Sequence, residues 1–228
     1  LDLFENISGS RLTYNYMRCG GGVRDISPEF AAKAKDFIKE FNTRVDEYEE
    51  ILTQNPIFLA RTKNVGCIAA ADAVAYGVSG PTLRASGLKL DLRKAQPYSV
   101  YDQFDFEIPV GKNGDCWDRY TCRVQEMRES LRIVDQALNG LPEGGFRNKV
   151  PLNLKPPAGE AYVPTESPRG ELGFYIISQG GNKPYRLKIR APSFCNLSLL
   201  REVLKGWKVA DVVAILGTFD IVLGEIDR

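Results

Sequence analysis

The sequence predicts a mainly α-helical chain with a small β-hairpin, its long amphipathic helices packed as a bundle. Two stretches carry apolar residues at steps of three and four, and one β-rich segment is interrupted by a glycine-rich turn. Leu1 to Gly9 reads as a short helix, and Gly20-Gly21-Gly22, with no strand before it, as a loop between helices. Ser27 is a good N-cap and Pro28 suits a first helical turn. Beyond them Phe30, Ala34, Phe37, Phe41, Val45, Tyr48 and Leu52 define one long amphipathic helix. A shorter helix is expected around Ala69 to Tyr76. The second long helix starts near Asp115 and runs to about Asn139-Gly140. Its stripe of Trp117, Tyr120, Val124, Met127, Leu131, Val134 and Leu138 suits packing along a neighbouring helix. Both stripes are scaffold.

Val150 to Gly159 is proline-rich and lacks helical period, so it reads as an extended connector. Phe174 to Ser178 and Tyr185 to Arg190 flank the turn cluster Gln179-Gly-Gly-Asn-Lys-Pro184, which predicts the hairpin. Its second strand alternates Leu187 and Ile189 with Arg186, Lys188 and Arg190, the basic side being a solvated face. Helices at Leu197 to Lys205 and Val209 to Leu216 follow. The organisation is therefore a helical part over 1–149, a connector over 150–165, and a hairpin with C-terminal helices and tail over 166–228, packed with the first part as one domain.

A chain of 228 residues buries roughly 70% of its unfolded surface, enough for a substantial core. Its 30 basic and 29 acidic residues nearly cancel, which leaves no electrostatic case for nucleic acid. No stretch reaches the ~20 apolar residues of a membrane span, and Leu1-Asp2-Leu3-Phe4 lacks the layout of a signal peptide, so membrane contact is expected only through partners. There is no histidine, which excludes Ser-His-Asp and Cys-His catalysis, and no phosphate-binding glycine loop; no catalytic residue is assigned. Cys19, Cys67, Cys116, Cys122 and Cys195 lie far apart without a Cys-x-x-Cys, and are expected as buried reduced thiols that hold no metal or iron-sulfur cluster.

Several blocks carry a resemblance. They are Ser79-Gly-Pro-Thr-Leu-Arg-Ala-Ser-Gly87, Asp91-Leu-Arg-Lys-Ala-Gln-Pro-Tyr98, Gly114-Asp-Cys-Trp-Asp-Arg-Tyr120, Glu166-Ser-Pro-Arg-Gly-Glu-Leu-Gly-Phe-Tyr175, Asn182-Lys-Pro-Tyr-Arg-Leu-Lys-Ile-Arg-Ala-Pro-Ser-Phe194 and Ala210-Asp-Val-Val-Ala-Ile-Leu-Gly217. In this order they resemble the C-terminal part of the D-type subunit of NADH-quinone oxidoreductase, the hydrogenase-derived subunit of respiratory complex I. The tail Asp220-Ile-Val-Leu-Gly-Glu-Ile-Asp-Arg228 agrees. Nickel-iron hydrogenase large subunits carry Asp-Pro-Cys-x-x-Cys-x-x-His there, and this chain has Asp220, Val222, Glu225 and Arg228 at the same spacing. Thiolates and imidazole are what a soft metal needs, so the resemblance implies the ancestral pocket without its metal.

The resemblance further implies a fold like that of the nickel-iron hydrogenase large subunit and a missing N-terminal region, as does a start at Leu1 inside a helix. It implies a role in a proton-translocating NADH:quinone oxidoreductase at the cytoplasmic side of the cell membrane, with no activity in the chain alone. On this view Asp220, Val222, Leu223, Glu225 and Arg228 edge a quinone tunnel. Arg11, Thr13 and Arg18 lie near an iron-sulfur cluster held by a partner, and FMN sits in other subunits. The implied partners are the subunit that holds the cluster, the C-type subunit of the same complex and a membrane-arm subunit. Many relatives have histidine at the position of Thr13; threonine does not titrate near neutrality, so the cluster's potential should vary little with pH, as suits a low-potential quinone such as menaquinone. A hydrogenase-like subunit of a related membrane complex fed by ferredoxin or another donor, and a purely architectural subunit, remain as alternatives. Arg84, Asp91, Arg93, Lys94, Asp115, Asp118 and Arg119 are expected in internal ion pairs or subunit packing. Glu166, Arg169 and Glu171 are expected to be structural, with a buttressing role toward the tail as the other reading.

Overall fold

The computed structural model describes residues 1–227. The chain opens with α1 (Asp2–Ser8), followed by a two-residue antiparallel pair, β1 (Met17–Arg18) and β2 (Gly21–Gly22). The glycine run expected as plain loop is thus the return arm of a minimal hairpin, and Gly21 also bridges to Arg147. Ser27 Oγ accepts the amide of Phe30 at 3.1 Å and starts α2 (Pro28–Tyr48), which passes into a π-type turn at Glu49–Thr53. Asn55 caps α3 (Pro56–Thr62), a helix not expected from the sequence. Three short helices follow, α4 (Ala70–Ala75), α5 (Gly80–Ala85) and α6 (Leu92–Ala95). Asp115 then accepts the amide of Asp118 at 2.8 Å and opens α7 (Cys116–Asn139), which ends at Gly140 as the sequence predicts.

The hairpin supplies the last two strands of a three-stranded antiparallel sheet of order β3 (Gly159–Ser167), β4 (Gly170–Ser178), β5 (Arg186–Arg190). The segment read as extended connector over 150–165 therefore enters the sheet at Gly159. Pro164 hides this strand from sequence reasoning, because proline lacks a ladder donor; β3 is an edge strand, where one side has no partner to miss it. The helix expected from Leu197 to Lys205 is two helices, α8 (Pro192–Ser198) and α9 (Leu200–Val203), broken at Leu199. Beyond them come α10 (Val209–Phe219) and α11 (Leu223–Asp227).

The core gathers Val65, Ile68, Val78, Leu83, Cys116, Leu199, Ile215 and Phe219, where α5, α9, α10 and the start of α7 meet. The two long helices pack on each other, but their stripes are only partly covered. Ala34, Ile38 and Val45 are buried on α2, while Phe37 and Tyr48 are exposed; on α7 Val124 and Leu131 are buried, while Met127 and Val134 are exposed. The side of α7 turned into the protein also carries Asp118 and Arg119, which the apolar pattern alone does not reveal. The expectation of uniformly buried thiols is corrected: Cys116 and Cys122 are buried, Cys19 and Cys67 are exposed, and Cys195 is half-buried. Cys19 and Cys67 sit in short loops between elements, which have no apolar layer over them.

Candidate functional site

α10 ends at Asp220, whose backbone is left-handed (φ 54°, ψ 51°). For a residue with a Cβ that conformation costs about 1–2 kcal/mol, and Asp is among the few types that visit it. The turn aims the carboxylate at two arginines from distant elements. Arg169, in the turn between β3 and β4, donates from Nε to the Asp220 carbonyl and from Nη2 to Oδ1, both at 3.2 Å. Arg123, on α7, brings Nε to 3.8 Å from Oδ2. Its Nη1 and Nη2 donate to the carbonyls of Arg119 (2.8 Å) and Phe219 (3.3 Å), while Nε is buried with no hydrogen-bond partner. Burial pulls the Arg123 guanidinium down to about 10, against the opposing pull of Asp220 and Glu126.

This charge pair separates two cavities. One, of about 560 Å³, has an apolar wall of Phe37, Phe41, Met127, Leu131 and Val134 facing Arg84, Arg93, Glu126 and Glu166. The other, of about 540 Å³, is walled by Phe58, Thr62, Tyr120, Val213 and Ala214. Arg123, Met127 and Asp220 line both. Largely apolar walls with a few convergent polar groups suit a small organic ligand.

The polar wall of the first cavity centres on Arg84, which is 1% exposed. Its Nε donates to Glu126 Oε1 and its Nη1 to Glu166 Oε1, each at 2.8 Å; Nη1 also donates to the Leu90 carbonyl at 2.9 Å and lies 3.7 Å from Asp91. Burial pulls Arg84 down, but Glu126, Glu166 and Asp91 more than offset it and leave it raised. Burial also raises Glu166 against the pull of Arg84. Glu166 Oε2 accepts the Leu92 amide at 3.1 Å and the Glu166 amide donates to Tyr98 Oη at 3.1 Å. The backbones behind this wall touch. A Cβ at Gly80 would lie 2.4 Å from the Arg169 carbonyl oxygen, and one at Gly170 would lie 2.4 Å from Ser79 Oγ, so glycine at both positions lets α5 and the Arg169 turn meet.

The remaining charged residues singled out in the sequence also form internal contacts. Asp91 pairs with Arg93 at 2.6 Å. Asp118 accepts the amides of Lys112, Asn113 and Gly114. Arg119, fully buried, donates to the carbonyls of Gly114 (2.7 Å) and Gly66 (2.9 Å), to Thr218 Oγ1 (3.0 Å) and to Cys116 Sγ (3.2 Å). Glu171 donates its amide to Ser79 Oγ at 3.0 Å, and its carboxylate accepts the Tyr162 hydroxyl at 2.5 Å. Lys94 lies over the Phe106 ring at 4.4 Å.

Of the described tail residues only Asp220 lines these two cavities. The Val222 amide donates to Ser193 Oγ at 3.3 Å, and its side chain is 38% exposed; Leu223 is 70% exposed at the start of α11. Glu225 Oε2 accepts from both the amide (3.2 Å) and the hydroxyl of Ser193, pinning α11 to α8. Arg228 lies outside the described residues. In the first segment Arg11 pairs with Asp2 (2.6 Å) and Glu5 (2.7 Å) on α1, Thr13 has φ 51° and donates to its neighbour's carbonyl, and exposed Arg18 reaches the Asn15 carbonyl. These contacts are local, and the structure does not bring the three residues into contact with Asp220. Sequence reasoning missed Arg123; the signal available was a charge inside the α7 stripe, one turn after Arg119 and one before Glu126.

Among the described residues no group of three or more His, Cys, Asp or Glu could hold a metal ion, and no helix is long and apolar enough to cross a membrane.

The family model described as respiratory-chain NADH dehydrogenase, 49 kDa subunit, matches residues 1–153 and 148–228. Similar curated proteins include the D-type NADH-quinone oxidoreductase subunits of Desulforamulus reducens (52% identical over 227 residues), of Syntrophobacter fumaroxidans (53% over 229) and of Dehalococcoides mccartyi (50% over 228). Each match takes in 100% of this chain but only 61–62% of the relative, so the chain spans about three fifths of the length of the curated proteins it matches.

Proposed function

The chain belongs to the family of the 49 kDa subunit of respiratory-chain NADH dehydrogenase, and from that premise we propose that it forms part of the quinone-reduction site of an NADH-quinone oxidoreductase. The observation that carries this reading is the Asp220 carboxylate, held by Arg123 and Arg169 where two apolar-walled cavities meet. A quinone takes two electrons and two protons. An iron-sulfur cluster in a partner subunit supplies the electrons when the complex is assembled, with FMN further upstream. This chain's residues position the ring. Arg123, which lines both cavities, puts positive charge beside a ring carbonyl, Phe58 and Met127 give the ring apolar contact, and the Asp220 carboxylate is an acceptor for a hydroxyl of the reduced ring.

Val222 and Leu223 belong to this reading as exposed apolar surface, which fits a tunnel whose other wall comes from a partner protein. Glu225 fixes that strip through Ser193. Arg11, Thr13 and Arg18 form the proposed face toward the partner cluster. The reading includes a hydrogenase large-subunit ancestry for the fold and no turnover by the chain alone. It also includes a peripheral position on the cytoplasmic side of the membrane, reached through partners: the cluster-holding subunit, the C-type subunit and a membrane-arm subunit.

The test is Asp220→Asn in the assembled complex. Quinone-dependent kcat/KM should fall by an order of magnitude or more, while NADH oxidation with an artificial acceptor at the flavin is unchanged. Full assembly with unaltered quinone kinetics and inhibitor sensitivity would refute the proposal and leave an architectural subunit.

A further inference from the structure

We propose that Arg84 is a positioning residue that holds both arginines on Asp220 from the far wall of the cleft. Its guanidinium grips two carboxylates on different elements, Glu126 on α7 and Glu166 on β3, each at 2.8 Å. Glu126 stands one helical turn from Arg123 and acts electrostatically on it. Glu166 stands three residues before Arg169, at the foot of the tight turn that carries it. One buried cation therefore sets the spacing between two arms that converge on one carboxylate, the first ending at Arg123 and the second at Arg169. The Gly80–Gly170 contact adds a third link, since the helix bearing Arg84 abuts the turn bearing Arg169. None of Arg84, Glu126 and Glu166 reaches Asp220 itself, so their effect on that carboxylate runs through Arg123 and Arg169.

The elements involved are far apart in sequence, and nothing in a simple packing role requires both carboxylates to share one guanidinium. Burying a cation is costly, and one that bridges two carboxylates is retained where geometry between elements must be specific. The inference rests on the quinone-site reading of Asp220, and the experiment keeps the two separable.

Glu126→Gln and Glu166→Gln, which keep shape and hydrogen-bonding capacity, are each made in the assembled complex, alone and combined with Asp220→Asn. Arg84→Lys is the third variant, retaining charge without the fork. Each single variant should lower quinone-dependent kcat/KM roughly 5- to 10-fold, and the same change should have little further effect once Asp220 is already Asn, because its route of action has gone. Equal losses in both backgrounds would mark a general structural role and overturn the inference. So would full activity in all three single variants alongside an impaired Asp220→Asn. An Asp220→Asn complex with normal quinone kinetics would instead remove the reading on which the inference stands.

Discussion

Replacing Gly170 by alanine probes the contact that carries Arg169 toward Asp220. The new Cβ would lie 2.4 Å from Ser79 Oγ and 2.7 Å from both Gly80 N and Ser79 C, and two of those three atoms are backbone. The serine side chain can turn away; the start of α5 cannot. Gly170 also has φ 133°, a region essentially reserved for glycine, where strain costs about 1–3 kcal/mol. Forcing a methyl group into a filled space adds about 1–3 kcal/mol. The total is roughly 2–6 kcal/mol, which at a urea m-value of about 2–3 kcal/mol/M lowers the unfolding midpoint by about 1–3 M. Gly180→Ala is the internal control. Its φ is 86° and nothing lies within 4 Å of the added Cβ, so it should cost only the strain of a left-handed residue, about 1–2 kcal/mol. Urea melts of both variants, followed by far-ultraviolet circular dichroism, give the difference. If Gly170→Ala unfolds within about 0.5 kcal/mol of the control, the turn does not rest on α5 and the account of how Arg169 is held is wrong.

Burial pushes Asp91 up, but Arg93 and Arg84 outweigh it and hold its carboxyl below the ordinary value. A depressed carboxylate stabilises the fold above its unfolded pKa, about 3.9, and loses that contribution as the pH falls through the lower folded value. Asp91→Asn should therefore be less stable than the parent at neutral pH, with the gap closing below about pH 4; a gap constant from pH 7 to pH 3 in calorimetry contradicts the ion-pair account. Arg119→Met removes the side-chain donor to the buried Gly66 carbonyl, while the Gly114 carbonyl keeps the Ile68 amide, and should cost roughly 1–3 kcal/mol in the same urea assay. A neutral outcome means that the apolar side chain repacks without loss. In the assembled complex, Thr13→His should make the partner cluster's potential fall by up to about 59 mV per pH unit around the imidazole pKa, read by redox titration at several pH values; a flat profile removes that segment from the cluster's surroundings.

The long helices were legible because they carry their own punctuation. Ser27 with Pro28, and Asp115 with Gly140, mark ends that local backbone chemistry enforces whatever surrounds them. α5 was not legible. Six residues opening Gly-Pro show no period, and the helix exists because all six are buried among other elements. β3 was masked by Pro164 and by its polar residues, which an edge strand tolerates. At the candidate site the tail motif pointed to Asp220 and the buttressing reading to Arg169, but nothing pointed to Arg123. Arg169 is 51 positions away and Arg123 is 97, and helical spacing says nothing of contacts at that range. The Arg84 hub spans 82 positions to Glu166 for the same reason. Each of these charges is ordinary in sequence; only the folded arrangement brings them together.

Phe37, Met127 and Val134 leave a greasy seam open to water between the two longest helices. Surface of this kind is what chaperones and proteases engage, so copies in which the seam stays bare are held or cleared sooner than copies in which it is covered.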